Sequence, residues 1–143
     1  MFETLYTNIL AKLAETLPDH TELPFAIEIE RNKQGKTEKG YAVTIEDAPS
    51  NGDLVGRTTL NLQIQVKLSD KWKPDRNGDS AQQAASLAVA DRCLTTYEAL
   101  ALSKLGNSSG VRLVTLENIS APTYLDDEKT VYRVITITAN IKV

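Results

Sequence analysis

The segment Arg57-Thr58-Thr59-Leu60-Asn61-Leu62-Gln63-Ile64-Gln65-Val66-Lys67-Leu68 decides the fold class of this chain. Apolar residues occupy every second position from Leu60 to Leu68, and the residues between them are polar. Successive side chains of a β-strand point to opposite faces of a sheet. The pattern therefore predicts one long strand with a buried face and a polar face.

Four other segments have strand patterns. Residues 131–143 alternate in the same way and predict a second long strand at the C-terminus. Residues 25–30 and 41–46 predict two shorter half-buried strands joined by an extended hairpin tip at 31–40. Residues 111–119 predict a strand with imperfect alternation, because Leu113 and Val114 are adjacent apolar residues and Leu116 shifts the phase. This break allows either a β-bulge or a strand buried on both faces.

Two segments have helical patterns. Residues 2–17 place apolar side chains three and four apart, and Pro18 ends this helix. Ser80 and Gln83 fit a capping box, so the second helix is predicted to start there, to run to Leu105 and to stop at Gly106. The predicted buried side of this helix comprises Val89, Ala90, Cys93, Leu94, Tyr97, Leu100 and Ala101.

The order of elements predicts an α+β fold. A mainly antiparallel sheet of about five strands, with two helices packed on one face, accounts for all the patterns. The chain has 143 residues, a length that supports one core, so residues 1–143 are predicted to form a single domain.

Composition excludes several classes of protein. Hydrophobic residues make up 41% of the chain and charged residues 24%, which is ordinary for a globular protein. No stretch is long and apolar enough for a membrane span, and Glu3 stands where a signal peptide needs positive charge, so we expect an intracellular protein. The net charge of −3 disfavours direct binding to nucleic acid or to an anionic membrane.

The sequence predicts no catalytic, metal or cofactor site. His20 is the only histidine and is expected at the surface, and a zinc site needs several His or Cys ligands. Cys93 is the only cysteine and is expected in the core, where a thiol is inert. The segment 75–79 is better explained as a turn before a helix than as a calcium loop, because its glycine falls at the wrong position. Enzymatic activity is therefore not expected.

Two predicted loops carry positively charged side chains: the hairpin tip 31–40 and the loop 69–79. The only Trp lies between lysines in the predicted loop 69–79, a combination that could contact a protein, stack on nucleic acid bases or fold back on the core. We interpret both segments as candidate contacts to an acidic protein surface, since their positive charge is local in an acidic chain. The candidate residues are Arg31, Lys33 and Lys36 in the first loop, and Lys71, Trp72, Lys73 and Arg76 in the second.

The polar faces of the two long strands form the second candidate interaction surface. Their side chains are neutral amides and hydroxyls, whereas a solvated sheet face often carries Lys and Glu. Neutral polar groups cost less to desolvate against another protein than charges do. The alternative is that Thr and Gln simply suit exposed strands. The candidate residues are Gln63 and Gln65 on one strand, and Thr136 and Thr138 on the other.

The arrangement resembles the tail-terminator, or tail-completion, proteins of long-tailed bacteriophages. The resemblance rests on the N-terminal helix Phe2-Glu3-Thr4-Leu5-Tyr6-Thr7-Asn8-Ile9-Leu10, the strand 59–66, the alanine-rich helix after a polar loop, and the closing strand Val131-Tyr132-Arg133-Val134-Ile135-Thr136-Ile137-Thr138. It implies a virion structural protein of the tail neck, assembled in the host cytoplasm. Its implied partners are further copies of itself in a hexameric ring, the tail-tube protein whose polymerisation it ends, and the head-side connector. No cofactor is implied.

Two other functions fit the same patterns. One is another virion ring protein, such as a head-closure or tail-tube subunit, which would differ in its neighbours. The other is a bacterial α+β domain that binds a small molecule, which would need a concave pocket with convergent polar groups.

Overall fold

The computed structural model describes residues 2–22, 39–46, 59–72, 78–125 and 129–142. The predicted strand 25–30 and the candidate residues Arg31, Lys33, Lys36, Lys73 and Arg76 lie outside these ranges. The elements, in chain order, are α1 (Phe2–Thr16), β1 (Thr21–Glu22), β2 (Gly40–Glu46), β3 (Thr59–Lys71), α2 (Gly78–Leu102), α3 (Lys104–Asn107), β4 (Val111–Ile119), β5 (Thr123–Leu125) and β6 (Thr130–Lys142).

The strands form one six-stranded sheet in the order β1-β2-β3-β6-β4, with β5 also paired to β6. The long strands β3 and β6 lie at its centre and pair antiparallel along their whole length, from Thr59 opposite Lys142 to Lys71 opposite Thr130. Among the strands that the structure describes, only the short β1 pairs in parallel, with the start of β2. The predicted mainly antiparallel α+β fold is confirmed.

The helices cover one face of the sheet. α2 contacts β3, β4 and β6, and α1 packs against α2 and α3. The alternate apolar residues of β3 and β6 enter the core with the buried face of α1, as their spacing predicts. The buried core includes Leu5, Ile9 and Leu13 of α1, Leu62, Ile64, Val66 and Leu68 of β3, and Ile135, Ile137, Ala139 and Ile141 of β6.

The strand β3 is longer than its apolar pattern predicts. It continues through the polar residues Ser69, Asp70 and Lys71, which were expected in a loop. The side chains of Ser69 and Asp70 are buried and bonded: Ser69 Oγ donates to the Gly40 carbonyl over 3.4 Å, and Asp70 Oδ2 accepts from Arg92 over 2.7 Å. Because these polar groups have partners, the strand can keep them in the interior.

The buried side of α2 differs from the prediction. Val89, Cys93 and Leu100 are buried as expected, but Leu94 is 47% exposed and Leu87 is 55% exposed. Ser86 and Thr96 take the interior positions instead. The helix also begins at Gly78, before the predicted start at Ser80, and ends at Leu102 rather than Leu105.

The helix ends early because the chain turns to the left-handed region. Lys104, Leu105, Gly106 and Asn107 all have positive φ, between 52° and 74°. Only Gly106 was predicted to do so. The turn buries Leu105 completely, while Ser103 Oγ accepts a hydrogen bond from Gly106 N over 2.9 Å. Burial of one leucine and local hydrogen bonds thus offset the cost of the left-handed conformation.

Two irregularities in β4 explain its imperfect alternation. The register against β6 shifts between Val111 and Leu113, and again between Leu116 and Asn118. The first shift turns Leu113 outward, where it is 60% exposed, and leaves Val114 buried. The β-bulge that the adjacent apolar residues suggested is therefore present, with a second one five residues later.

Candidate functional site: the outer face of the sheet

The side of the sheet opposite the helices carries a ladder of polar side chains, which we call the outer face. Its centre is two rows that run across the strands: Gln63 lies opposite Thr138, and Gln65 lies opposite Thr136. Residues directly opposite in an antiparallel pair have their side chains on the same face, about 5 Å apart. The four candidate residues predicted for this surface are therefore brought together.

The neighbouring strands extend these two rows. On β2, Glu46 pairs with Gln63 and Thr44 with Gln65. On β4, Thr115 pairs with Thr138 and Asn118 with Thr136. Four strands at the usual spacing span roughly 14 Å. Within these two rows, Glu46 at one edge is the only ionisable side chain.

One end of the outer face is fastened by an amide pair. Asn61 and Asn140 face each other across β3 and β6, and Asn140 Nδ2 donates to Asn61 Oδ1 over 2.8 Å. Leu113 is paired with Asn140 and adds an exposed apolar side chain at this end. The rows of Gln63 and Gln65 thus lie next to one apolar group, a combination typical of protein interfaces.

The opposite end of the outer face is already buried. Lys67 is 7% exposed, and its Nζ lies 4.4 Å from the centre of the Tyr132 ring, a cation–π contact. Ala42, which is paired with Lys67, is 2% exposed. The accessible part of the outer face therefore centres on the rows of Gln63 and Gln65.

The described part of the predicted cation-bearing loop 69–79 is mostly regular structure, because β3 continues to Lys71 and α2 begins at Gly78. Lys71 is the last residue of β3, paired with Thr130. Six residues of extended chain separate it from Gln65, a distance of about 20 Å, so the two candidates do not form one site.

Trp72 is a core residue. It is 8% exposed, its ring packs edge-on to Tyr124 with 6.1 Å between the ring centres, and its backbone N donates to the Lys129 carbonyl over 3.0 Å. Of the readings that the sequence allowed, a Trp folded back on the core is the one that the structure shows. Its ring is not exposed for stacking on bases or for contacting a partner.

The two residues considered for catalysis or metal binding, Cys93 and His20, both have buried side chains. Cys93 is fully buried, and burial raises the pKa of its thiol to about 11, in agreement with its predicted core position. The prediction of a surface histidine is wrong, because the His20 side chain is 2% exposed. Within the described ranges, no three His, Cys, Asp or Glu residues are grouped so as to hold a metal ion.

Sequence reasoning missed the contributions of β2 and β4 to the outer face. Thr44 alternates with Val43 and Ile45, so its outward direction was readable, but its neighbour in the sheet was not. For β4, the adjacent apolar residues Leu113 and Val114 indicated that one of them lies on the outer face, since only one of two neighbouring strand residues can face the core.

The comparisons add no family. A scan against protein-family models and a search of the curated proteins both find no match to this chain. In the described residues, no helix is both long and apolar enough to cross a membrane.

Proposed function

We propose that this chain is a virion structural protein of the tail-terminator type, which forms a ring through the outer face of its sheet. The ring caps the tail tube, ends polymerisation of the tube subunits and joins the tube to the head-side connector. The observation that carries this proposal is the neutral polar ladder of the outer face, together with the resemblance of the chain's pattern to that class of protein.

Physical chemistry favours contact through such a face. Burying an unpaired charge costs several kcal/mol, whereas amide and hydroxyl groups recover most of their desolvation cost through hydrogen bonds to a partner. Gln63, Gln65, Thr136 and Thr138 are all only half-buried in the single chain. Their donors and acceptors are thus available to a neighbouring subunit.

A ring repeats each contact at every interface, so a small change in charge has a large effect. We test the proposal with the double variant Gln63→Lys and Thr136→Lys. These residues lie diagonally across β3 and β6 rather than directly opposite, which limits repulsion within one subunit. We expect the variant to fold but to lose assembly, because every interface of the ring would have to bury two unpaired positive charges against the neighbouring subunit.

The matched control is the double variant Thr7→Lys and Gln83→Lys. Both positions are exposed, one on α1 and one on α2, and the change in net charge is the same. Light scattering gives the mass of each variant, alone and mixed with tail-tube protein. Normal assembly of the outer-face variant would overturn the proposal, and loss of assembly in both variants would show an effect of net charge alone.

One observation favours the small-molecule alternative. A groove of about 490 Å³ lies between the start of α1 and β2, lined by Phe2, Glu3, Tyr6, Val43, Thr44 and Ile45. Its volume suits a small ligand, and Phe2 and Tyr6 are 43% and 36% exposed. Two results together would favour this function over the ring. The protein would be a compact monomer, and a small cation with apolar groups would stabilise wild type, but not Tyr6→Ala, against heat.

A further inference from the structure

His20 lies where α1, β1 and β2 meet. It follows the last turn of α1, where its backbone N donates to the Leu17 carbonyl over 3.1 Å, and it directly precedes β1. The next amide, Thr21 N, donates to the Lys39 carbonyl over 3.1 Å and so fastens β1 beside the start of β2. The His20 side chain is 2% exposed.

The hydrogen bonds of His20 fix its tautomer. Its Nδ1 lies 2.9 Å from Asp19 Oδ1. An ionised carboxylate only accepts hydrogen bonds, so the proton of the neutral ring is on Nδ1 and the lone pair is on Nε2. Nε2 is buried, and no residue that the structure describes is within hydrogen-bond reach of it.

Burial is the main effect that opposes a second proton on the ring, and the charges around the ring act in both directions. Burial, and to a lesser extent the positive charges of Arg92 and Lys39, lower the pKa of His20, while Asp19 acts in the opposite direction. Asp19 is itself engaged by Lys39, whose Nζ lies 2.9 Å from Oδ2. Arg92 of α2 is held by Asp70 of β3 over 2.7 Å, so its charge stays in place.

We propose that His20 is an acid-sensitive latch that holds the end of α1 and β1 against β2 only while its ring is neutral. A proton on Nε2 would create a buried N–H with no acceptor among the described residues. It would also add a positive charge to the interior, and the Asp19 carboxylate that faces it is already shared with Lys39. The ring then reaches water only if the junction opens. The contacts given up are the turn at Leu17 and the pairing of β1 with Gly40 and Tyr41.

The direction of the pH effect follows from linkage. Above the ordinary histidine pKa of about 6.5, the ring is neutral in both the folded and the unfolded chain, and the latch is closed. Below it, the unfolded chain takes up a proton that the folded chain resists. The folding equilibrium constant therefore falls by up to tenfold per pH unit as the pH decreases, until the folded-state pKa is reached.

The direct test is an NMR titration of the intact protein. His20 is the only histidine in the chain, so its ring Cε1–H signal needs no assignment by mutation. We expect its midpoint below 6.5, and we expect the Thr21 amide to lose hydrogen-exchange protection, after correction for intrinsic rates, as the ring titrates. A midpoint at or above 6.5 would overturn the proposal, and so would a Thr21 amide whose protection does not follow the ring.

The second test compares variants in urea unfolding between neutral and mildly acidic pH. His20→Gln keeps a donor for Asp19 but cannot titrate, so its unfolding should lose the wild-type pH dependence in this window. The control is His20→Gln combined with Gln83→His, which restores one histidine at an exposed site on α2. It should also lack the dependence, and equal slopes in wild type and His20→Gln would refute the latch. If His20→Gln does not fold, the NMR titration decides.

Discussion

Gly106 shows how closely two elements approach at a single residue. Its φ is 74°, and a Cβ atom on it would overlap the Asn8 carbonyl oxygen of α1. The left-handed conformation alone costs a non-glycine residue about 1–2 kcal/mol. We therefore expect Gly106→Ala to lower the free energy of unfolding by at least about 2 kcal/mol in urea denaturation.

The neighbouring Asn107 supplies the control. It has a φ of 62° but is exposed, and asparagine tolerates this region. Asn107→Gly should change the free energy of unfolding by less than about 1 kcal/mol, in the stabilising direction. Equal losses in both variants would show that the turn is not held in the left-handed conformation.

Cys93 makes a second prediction at the residue scale. With a thiol pKa of about 11 and full burial, only about one molecule in a thousand carries the thiolate at pH 8. A thiol reagent such as DTNB should therefore label the native protein far more slowly than the urea-unfolded chain. Rapid labelling of the native protein would place Cys93 outside the core.

At the scale of an element, the buried side of α2 is not the side that its apolar residues suggest. The spacing of Ser86, Val89, Cys93, Thr96 and Leu100 follows one helical stripe against the sheet, and two of these residues are polar. The exposed Leu87 and Leu94 lie on the other side. A reading that follows apolar residues alone therefore rotates the helix, which is why the sequence predicted Leu94 in the core.

This assignment is tested by paired substitutions in α2. Leu94→Gln should leave the free energy of unfolding within about 0.5 kcal/mol of wild type, because nearly half of the residue is already exposed to water. Leu100→Ala should lower it by about 2–5 kcal/mol, because it removes a fully buried leucine. Similar losses from both changes would mean that α2 presents a different face to the sheet.

The strands were more predictable than the helix ends. β3 and β6 alternate strictly over their central residues, and a one-residue slip would put all their apolar side chains in water, so their facing was fixed by the pattern. The extension of β3 through Asp70 was not predictable, because it depends on Arg92 of α2, a residue 22 positions away. The environment of His20 escaped prediction because two of the charges that act on its ring belong to Lys39 and Arg92, both distant in sequence.

At the scale of the whole molecule, the two faces of the sheet have different roles: one packs in the core and the other is a candidate interaction surface. The inner face and the helices supply one hydrophobic core, and the outer face carries the neutral ladder. Because that ladder holds few charges, assembly through it should depend little on ionic strength. Dissociation of an assembled ring at high salt would indicate that charged segments, rather than the outer face, hold the subunits together.

The most direct measurement of the proposed function is the mass in solution of the purified protein, combined with electron microscopy, alone and in the presence of tail-tube protein. We predict closed rings of roughly six subunits, formed by the chain alone or on meeting the tube, and lost in the variant Gln63→Lys with Thr136→Lys. A compact monomer under both conditions would contradict the proposal.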